Sequence, residues 1–169
     1  MEILGDRVLI RTTSQGDLVD LMGLWNDGRV MQWVGFPDGL GYDRQAVQTW
    51  FDKLQANRLR HHFVVNHKGI RFCGEVYYAV DPQHRRASLD IKLRPEMQGQ
   101  GLATDALMTL IQHVFKSELD VDSVWTQPSQ INIAARALYT RCGLKSKPHP
   151  ADITGSESFW ELTRAEAYG

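Results

Sequence analysis

The run Gln98-Gly99-Gln100-Gly101-Leu102-Ala103-Thr104 is where this chain first offers chemistry. Gly99 and Gly101 lack the Cβ atoms that would keep a ligand away from the backbone. An apolar-periodic helix opens directly behind them, so its first N–H groups have no intrahelical partners and sit at the positive end of the dipole. Such a turn suits a diphosphate. Asp105 in the first turn favours that dipole, and the Thr104 hydroxyl can donate to a phosphate oxygen. Further on, Asn132 and Tyr139 stand seven residues apart, two helical turns, so they project from one face with Ala135 between them. Ala134, Ala135 and Ala137 would let something pack closely there. On those residues alone, a plain packing helix with Asn132 as N-cap and Tyr139 as a core aromatic is the simpler reading.

The surrounding elements follow from periodicity and turn chemistry. A strand from Ala87 to Leu93 feeds the glycine turn and stops at Pro95; Ser88, Asp90 and Lys92 share one face, and Leu89, Ile91 and Leu93 the other. Before it come a strand at Arg7 to Arg11, a helix at Asp17 to Trp25, and a helix at Asp43 to Ala56 capped by Asp43. Between the helices, Met31 to Gly41 is an aromatic loop punctuated by Gly and Pro. His62 to Asn66, Ile70 to Val80 and Ala87 to Leu93 form a meander, with turns at Asn66-His67-Lys68-Gly69 and Asp81-Pro82-Gln83-His84. Strands joined so closely are antiparallel. After the turn, a helix runs to about Lys116, a strand covers Ser123 to Gln127, and a helix runs from Ser129 or Gln130 to Gly143. Ser158 to Thr163 is the last strand.

That meander argues against a dinucleotide fold. A dinucleotide fingerprint needs G-x-G-x-x-G inside a βαβ unit, with an acidic residue about 20 positions later. Here Thr104 stands where the third glycine belongs, and Asp120 and Asp122 sit in a polar loop.

With 169 residues and neither repeat nor linker, residues 1–169 read as a single domain. A net charge of -1 gives no pull towards nucleic acid or an anionic membrane. The basic clusters Arg58 to His62 and His84 to Arg86 read as solvated turns. Cys73 and Cys142 lack C-x-x-C spacing, and the six histidines lack ligand spacing, so no metal role is expected. The amino terminus has no signal pattern and no run reaches about 18 apolar residues, which implies a soluble cytoplasmic protein with no membrane association.

Taken together, these segments resemble the GNAT superfamily of N-acetyltransferases. The superfamily's Q/R-x-x-G-x-G/A turn is matched by Gln98 to Ala103, and its later Asn, Ala and Tyr by Asn132, Ala135 and Tyr139 before Cys142-Gly143-Leu144. Leu24-Trp25-Asn26-Asp27 and Glu161-Leu162-Thr163 are similar to the ribosomal-protein acetyltransferase-like branch. The resemblance implies an α/β (α+β) fold, with a mostly antiparallel mixed sheet of about six or seven strands flanked by helices. It also implies a splay in that sheet beside an acetyl-CoA site.

For the site, the resemblance implies that backbone groups of Ile91 and Leu93 bond the pantetheine arm. Gln98, Gly99, Gln100, Gly101, Leu102, Ala103 and Thr104 would wrap the pyrophosphate, with Asn132 and Ala135 along the arm. A strand N–H near the acetyl carbonyl would stabilise the developing oxyanion. Tyr139 would act as general acid towards the leaving thiolate. The acceptor would be a primary amine, of a small molecule or a protein N-terminus, attacking directly. A route through a Cys142 thioester competes with this, but Cys142 lies near a helix C-terminus, where the dipole disfavours a thiolate.

Some family members place a glutamate where this chain has Gln127, so Asp90 and Glu75 are the remaining candidate bases, alongside water relays or an acceptor that arrives already deprotonated. Asp90 reads equally as an ion-pair partner of Lys92. Trp33 and Phe36 are candidates for the acceptor site, whereas Trp25 and Trp50 lie on apolar helical stripes and read as core. A homodimer is carried as an expectation. The alternative function is a catalytically silent acyl-CoA-binding module.

Overall fold

The computed structural model describes residues 1–68, 71–155 and 157–169. The chain runs β1 (Glu2–Leu4), β2 (Val8–Thr12), α1 (Leu18–Trp25), α2 (Gly28–Met31), α3 (Arg44–Ala56), β3 (Arg60–His67), β4 (Arg71–Asp81) and β5 (Arg86–Leu93). It continues through α4 (Leu102–Ser117), β6 (Ser123–Thr126), α5 (Ile133–Arg141), β7 (Lys145–Lys147), β8 (Phe159–Thr163) and α6 (Arg164–Tyr168). The strands form one open, eight-stranded sheet in the order β1-β2-β3-β4-β5-β6-β8-β7. Every pairing among the described residues is antiparallel except β5 with β6.

Alternation along the strands divides the core in two. Phe63, Val65, Val76, Tyr78, Leu89 and Leu93 meet α4 and α5 on one face. Val64 and Phe72 face the other way, beneath Leu21, Leu24, Trp25, Val47 and Phe51 of α1 and α3. The stripe of α4 is deeply buried, with Ala106, Leu107, Leu110 and Val114 all at 0% exposure. Truncating Leu107 to Ala would therefore cost about 2–5 kcal/mol.

The loop after α1 is pinned. The Asn26 side chain donates to the Tyr42 carbonyl and accepts the Tyr42 N–H, both at 2.8 Å. A Cβ on Gly28 would fall 2.0 Å from the Pro37 carbonyl oxygen, so only glycine allows that approach. Within this loop, α2 and a 3₁₀ turn at Gln32–Val34 carry Trp33.

Most expected elements are present, with boundaries shifted by a few residues. The expected start at Ile70 and the expected turn residue Gly69 lie outside the described residues. Two edge strands, β1 and β7, take the sheet beyond the expected six or seven; each has only three residues, too few for a visible alternation. The last long helix starts at Ile133 rather than Ser129 or Gln130, because Asn132 is its N-cap. Asp43 caps α3, accepting the Ala46 N–H at 2.8 Å. Among the described residues no helix is long and apolar enough to cross a membrane.

Candidate active site

The sheet opens between its two parallel strands. β5 and β6 pair at Arg86, Ala87 and Ser88, and no pairing follows beyond Ser88 and Trp125 among the described residues. Pro128 follows close behind β6 and has no N–H to continue a ladder. On its other side β5 stays bonded to β4: the Arg94 N–H reaches the Cys73 carbonyl at 2.8 Å. Backbone groups alternate in direction along a strand, so those of Ile91 and Leu93 point away from β4 and into the opening. The Leu93 carbonyl accepts the Gln98 side-chain amide there at 3.2 Å. The opening is a cleft of about 270 Å³, with Ile91 and Leu93 on one wall and Ala135, Leu138 and Tyr139 of α5 on the other.

At one end stands the glycine turn. Gly99 and Gly101 take φ values of +72° and +79°, a region that suits glycine. Gly101 is the N-cap of α4, with no side-chain cap bond. Long-range contacts fix this turn. The Asp105 carboxylate accepts the N–H groups of Asp6, Arg7 and Val8 at 3.0, 2.7 and 2.9 Å, and the Arg7 guanidinium donates to the Gln100 carbonyl. The Thr104 hydroxyl accepts from the Arg141 guanidinium at 3.3 Å, which brings a cation from the end of α5 to the start of α4. Sequence reasoning missed Arg141; two residues 37 apart give no local sign of their contact.

Tyr139 lies deep in the cleft and is 5% exposed. Burial, and then the charge on Asp90, push its phenol above the ordinary range, only partly offset by the Thr126 hydroxyl beside it. The phenol is therefore protonated at neutral pH. Asn132 is the N-cap of α5, its side-chain oxygen accepting the Ala135 N–H at 3.1 Å, and it is also among the residues lining the cleft. Burial raises the Cys142 thiol to about 11, with Arg141 opposing weakly, so it is a poor nucleophile.

Of the two carboxylates, only Asp90 lines the cleft, and its oxygen is paired with the Lys92 ammonium. Glu75 is 2% exposed, on β4, and lies outside the cleft walls. Its oxygen accepts the Trp25 indole N–H at 3.0 Å and faces His62 Nε2 at 2.8 Å. Burial alone would raise the Glu75 carboxyl. The His62 hydrogen bond, the charges of His62 and Lys92, and the Trp25 hydrogen bond outweigh it and hold the group down at about 2. Burial would likewise lower the Lys92 ammonium, but Asp90 and Glu75 keep it raised and protonated.

The cleft gathers Trp33, Asp90, Ile91, Leu93, Gln98, Gly99, Ala103, Asn132, Ala135 and Tyr139 from the residues that the sequence singled out. Gln100, Gly101, Leu102 and Thr104 build the turn and helix start rather than the walls, and the Leu102 side chain is core at 1% exposure. Phe36 stands outside the walls, and its place beside Trp33 is taken by Val30 and Val34. Trp25 is buried, and Trp50 packs edge-on against it with ring centroids 4.6 Å apart. Away from the cleft, His84 does meet carboxylates: Asp81, His84 and Asp152 bring ligand atoms within 4.8 Å of one another. Arg86 ion-pairs with both acids there.

The same architecture recurs in solved structures. A spermidine N-acetyltransferase from Vibrio cholerae, in complex with CoA and spermine, shares 22% identity, covers 95% of this chain and 97% of its own, and superposes with a TM-score of 0.79. The aminoglycoside acetyltransferase AAC(6')-Ib in complex with coenzyme A shares 19% identity over 94% of this chain and 96% of its own, with a TM-score of 0.79. The ribosomal L7/L12 alpha-N-protein acetyltransferase RimL in complex with coenzyme A shares 14% identity over 96% of this chain and 98% of its own, again at 0.79. No curated protein sequence matches the chain. Residues 7–145 match the family described as an acetyltransferase (GNAT) domain, so the protein belongs to the GNAT acetyltransferases and is an acyltransferase.

Proposed function

We propose that this protein transfers the acetyl group of acetyl-CoA to a primary amine, by direct attack within a ternary complex. One observation carries the reading: the β5–β6 opening has a glycine-cradled helix start at one end and a protonated, buried Tyr139 within. The residues fit a CoA thioester. Gln98 to Thr104 would hold its pyrophosphate, helped by Arg141, and the inward-facing backbone of Ile91 and Leu93 would bond an amide-bearing arm in the manner of a peptide strand. Asn132 and Ala135 would flank that arm. When bound, the thioester supplies the activated acetyl group.

This chain's own groups do the rest. A β5 N–H facing the opening is a donor for the developing oxyanion. The Tyr139 phenol, kept protonated by burial, gives its proton to the departing sulfur. Asp90 is the carboxylate within reach of an incoming ammonium, while Glu75 is committed to Trp25 and His62. Soluble coenzyme A implies a cytoplasmic setting for the reaction. The acceptor would be a small amine or a protein N-terminus.

Calorimetry with acetyl-CoA followed by thiol release across an amine panel tests this. Binding with turnover is expected. The pairing of Asp90 with Lys92 favours a second reading, a silent acyl-CoA-binding module without a free base; binding without thiol release from any amine would establish it.

A further inference from the structure

Resting on the acetyl-transfer reading, we infer that the acceptor is a monoamine with an apolar group beside its amine, and that this cleft rejects polycations. Its lining gathers Val30, Trp33 and Val34 together with Asp90 and Lys92. Trp33 and Val34 are 43% and 47% exposed although their loop is pinned in place. The loop therefore presents an apolar surface to whatever enters, with little ordering left to do. Asp90 and Lys92 of the same lining form an ion pair, and Lys92 also reaches Glu75 at 3.5 Å. Thr126, Gln127 and Ser129 of the lining are neutral. Arg141 lies against Thr104 at the phosphate turn.

A polyamine would need several carboxylates here, and the walls among the described residues hold one, already matched. Its extra charges would lie beside Trp33 and Val34 with no carboxylate of their own. A monoamine avoids this. Its apolar part covers Trp33, and its nitrogen reaches the opening as the neutral base. The same chemistry is found in a free arylalkylamine and in a peptide that begins with an apolar residue.

The test is acetyl-CoA-dependent thiol release with 2-phenylethylamine, the peptide Phe-Gly-Gly, spermidine and kanamycin. At least one of the first two should exceed both polycations in kcat/KM by about ten-fold or more. Trp33→Ala should raise the KM for that substrate about ten-fold, with the acetyl-CoA Kd unchanged. Gln127→Glu, which adds a carboxylate to the wall, should shift the spermidine-to-monoamine ratio of kcat/KM towards spermidine by about ten-fold. Parity or preference for either polycation overturns the inference, as does an unchanged KM in Trp33→Ala; acetyl transfer itself would survive both results. Bound acetyl-CoA with no thiol release from any amine overturns both readings. Which of the two monoamines prevails identifies the source.

Discussion

Tyr139 and Cys142 lie three residues apart near the end of α5, and burial pushes both side chains towards their neutral forms. That shared effect separates their chemistry. A protonated phenol can still donate a proton, whereas a protonated thiol has lost most of its nucleophilicity. Tyr139→Phe should therefore lower kcat about ten- to thousand-fold while acetyl-CoA binding persists. Because burial holds the phenol above its ordinary range, kcat should show no basic limb from Tyr139 below about pH 10. Equal kcat in the variant would remove the proton-donor role. Cys142→Ala should keep normal turnover, since direct attack needs no thioester on the enzyme; a dead Cys142→Ala that still binds acetyl-CoA would restore the covalent route. For the base, Asp90→Asn should alter the acidic limb of kcat/KM, and a profile identical to the parent's would leave that step to water.

At the scale of elements, the helix start at Gly101 joins three parts of the chain: the β5 exit, the β1–β2 turn through Asp105, and α5 through Arg141. Gly101→Ala meets two obstacles. Its φ of +79° disfavours any side chain, and its Cβ would sit 2.9 Å from an Arg7 guanidinium nitrogen. The arginine tip can move, so backbone strain dominates, at about 1–2 kcal/mol. A weaker acetyl-CoA Kd and a lower Tm should follow, and unchanged values of both would show that the left-handed turn is dispensable. The turn itself was legible in the sequence, because two glycines before an apolar period leave few conformations open. So was the choice between a meander and a βαβ unit, set by short turns. Illegible were the ties that hold the turn in place, since Asp105 meets residues 97 to 99 positions away. Alternation placed Glu75 on a strand, yet it could not reveal that Trp25 and His62 close over it.

Across the whole molecule, that Glu75 cluster lies in the layer between the sheet and its α1–α3 cover, and its partners come from α1, β3 and β5. It binds together segments that no single element connects. Its electrostatics should show in the response to acid. The folded Glu75 carboxyl sits at about 2, against an ordinary value of 4.5. A depressed carboxyl adds stability that is fully present above the ordinary value and is lost as pH falls through the folded one. The window is therefore from about pH 4.5 down to about 2. Other carboxylates in ion pairs, such as Asp17 with Arg11, also weaken in acid, so the parent's slope alone is not diagnostic. Glu75→Gln isolates the contribution. The amide can still accept the Trp25 N–H, but it cannot titrate, and it leaves the Lys92 ammonium less well matched at neutral pH, at a cost of about 3 kcal/mol. In urea melts, the variant should be less stable than the parent at pH 7, and the gap should narrow as pH falls through the window. A gap that stays constant from pH 7 to pH 2.5 would show that the buried carboxylate is not held ionised by its partners.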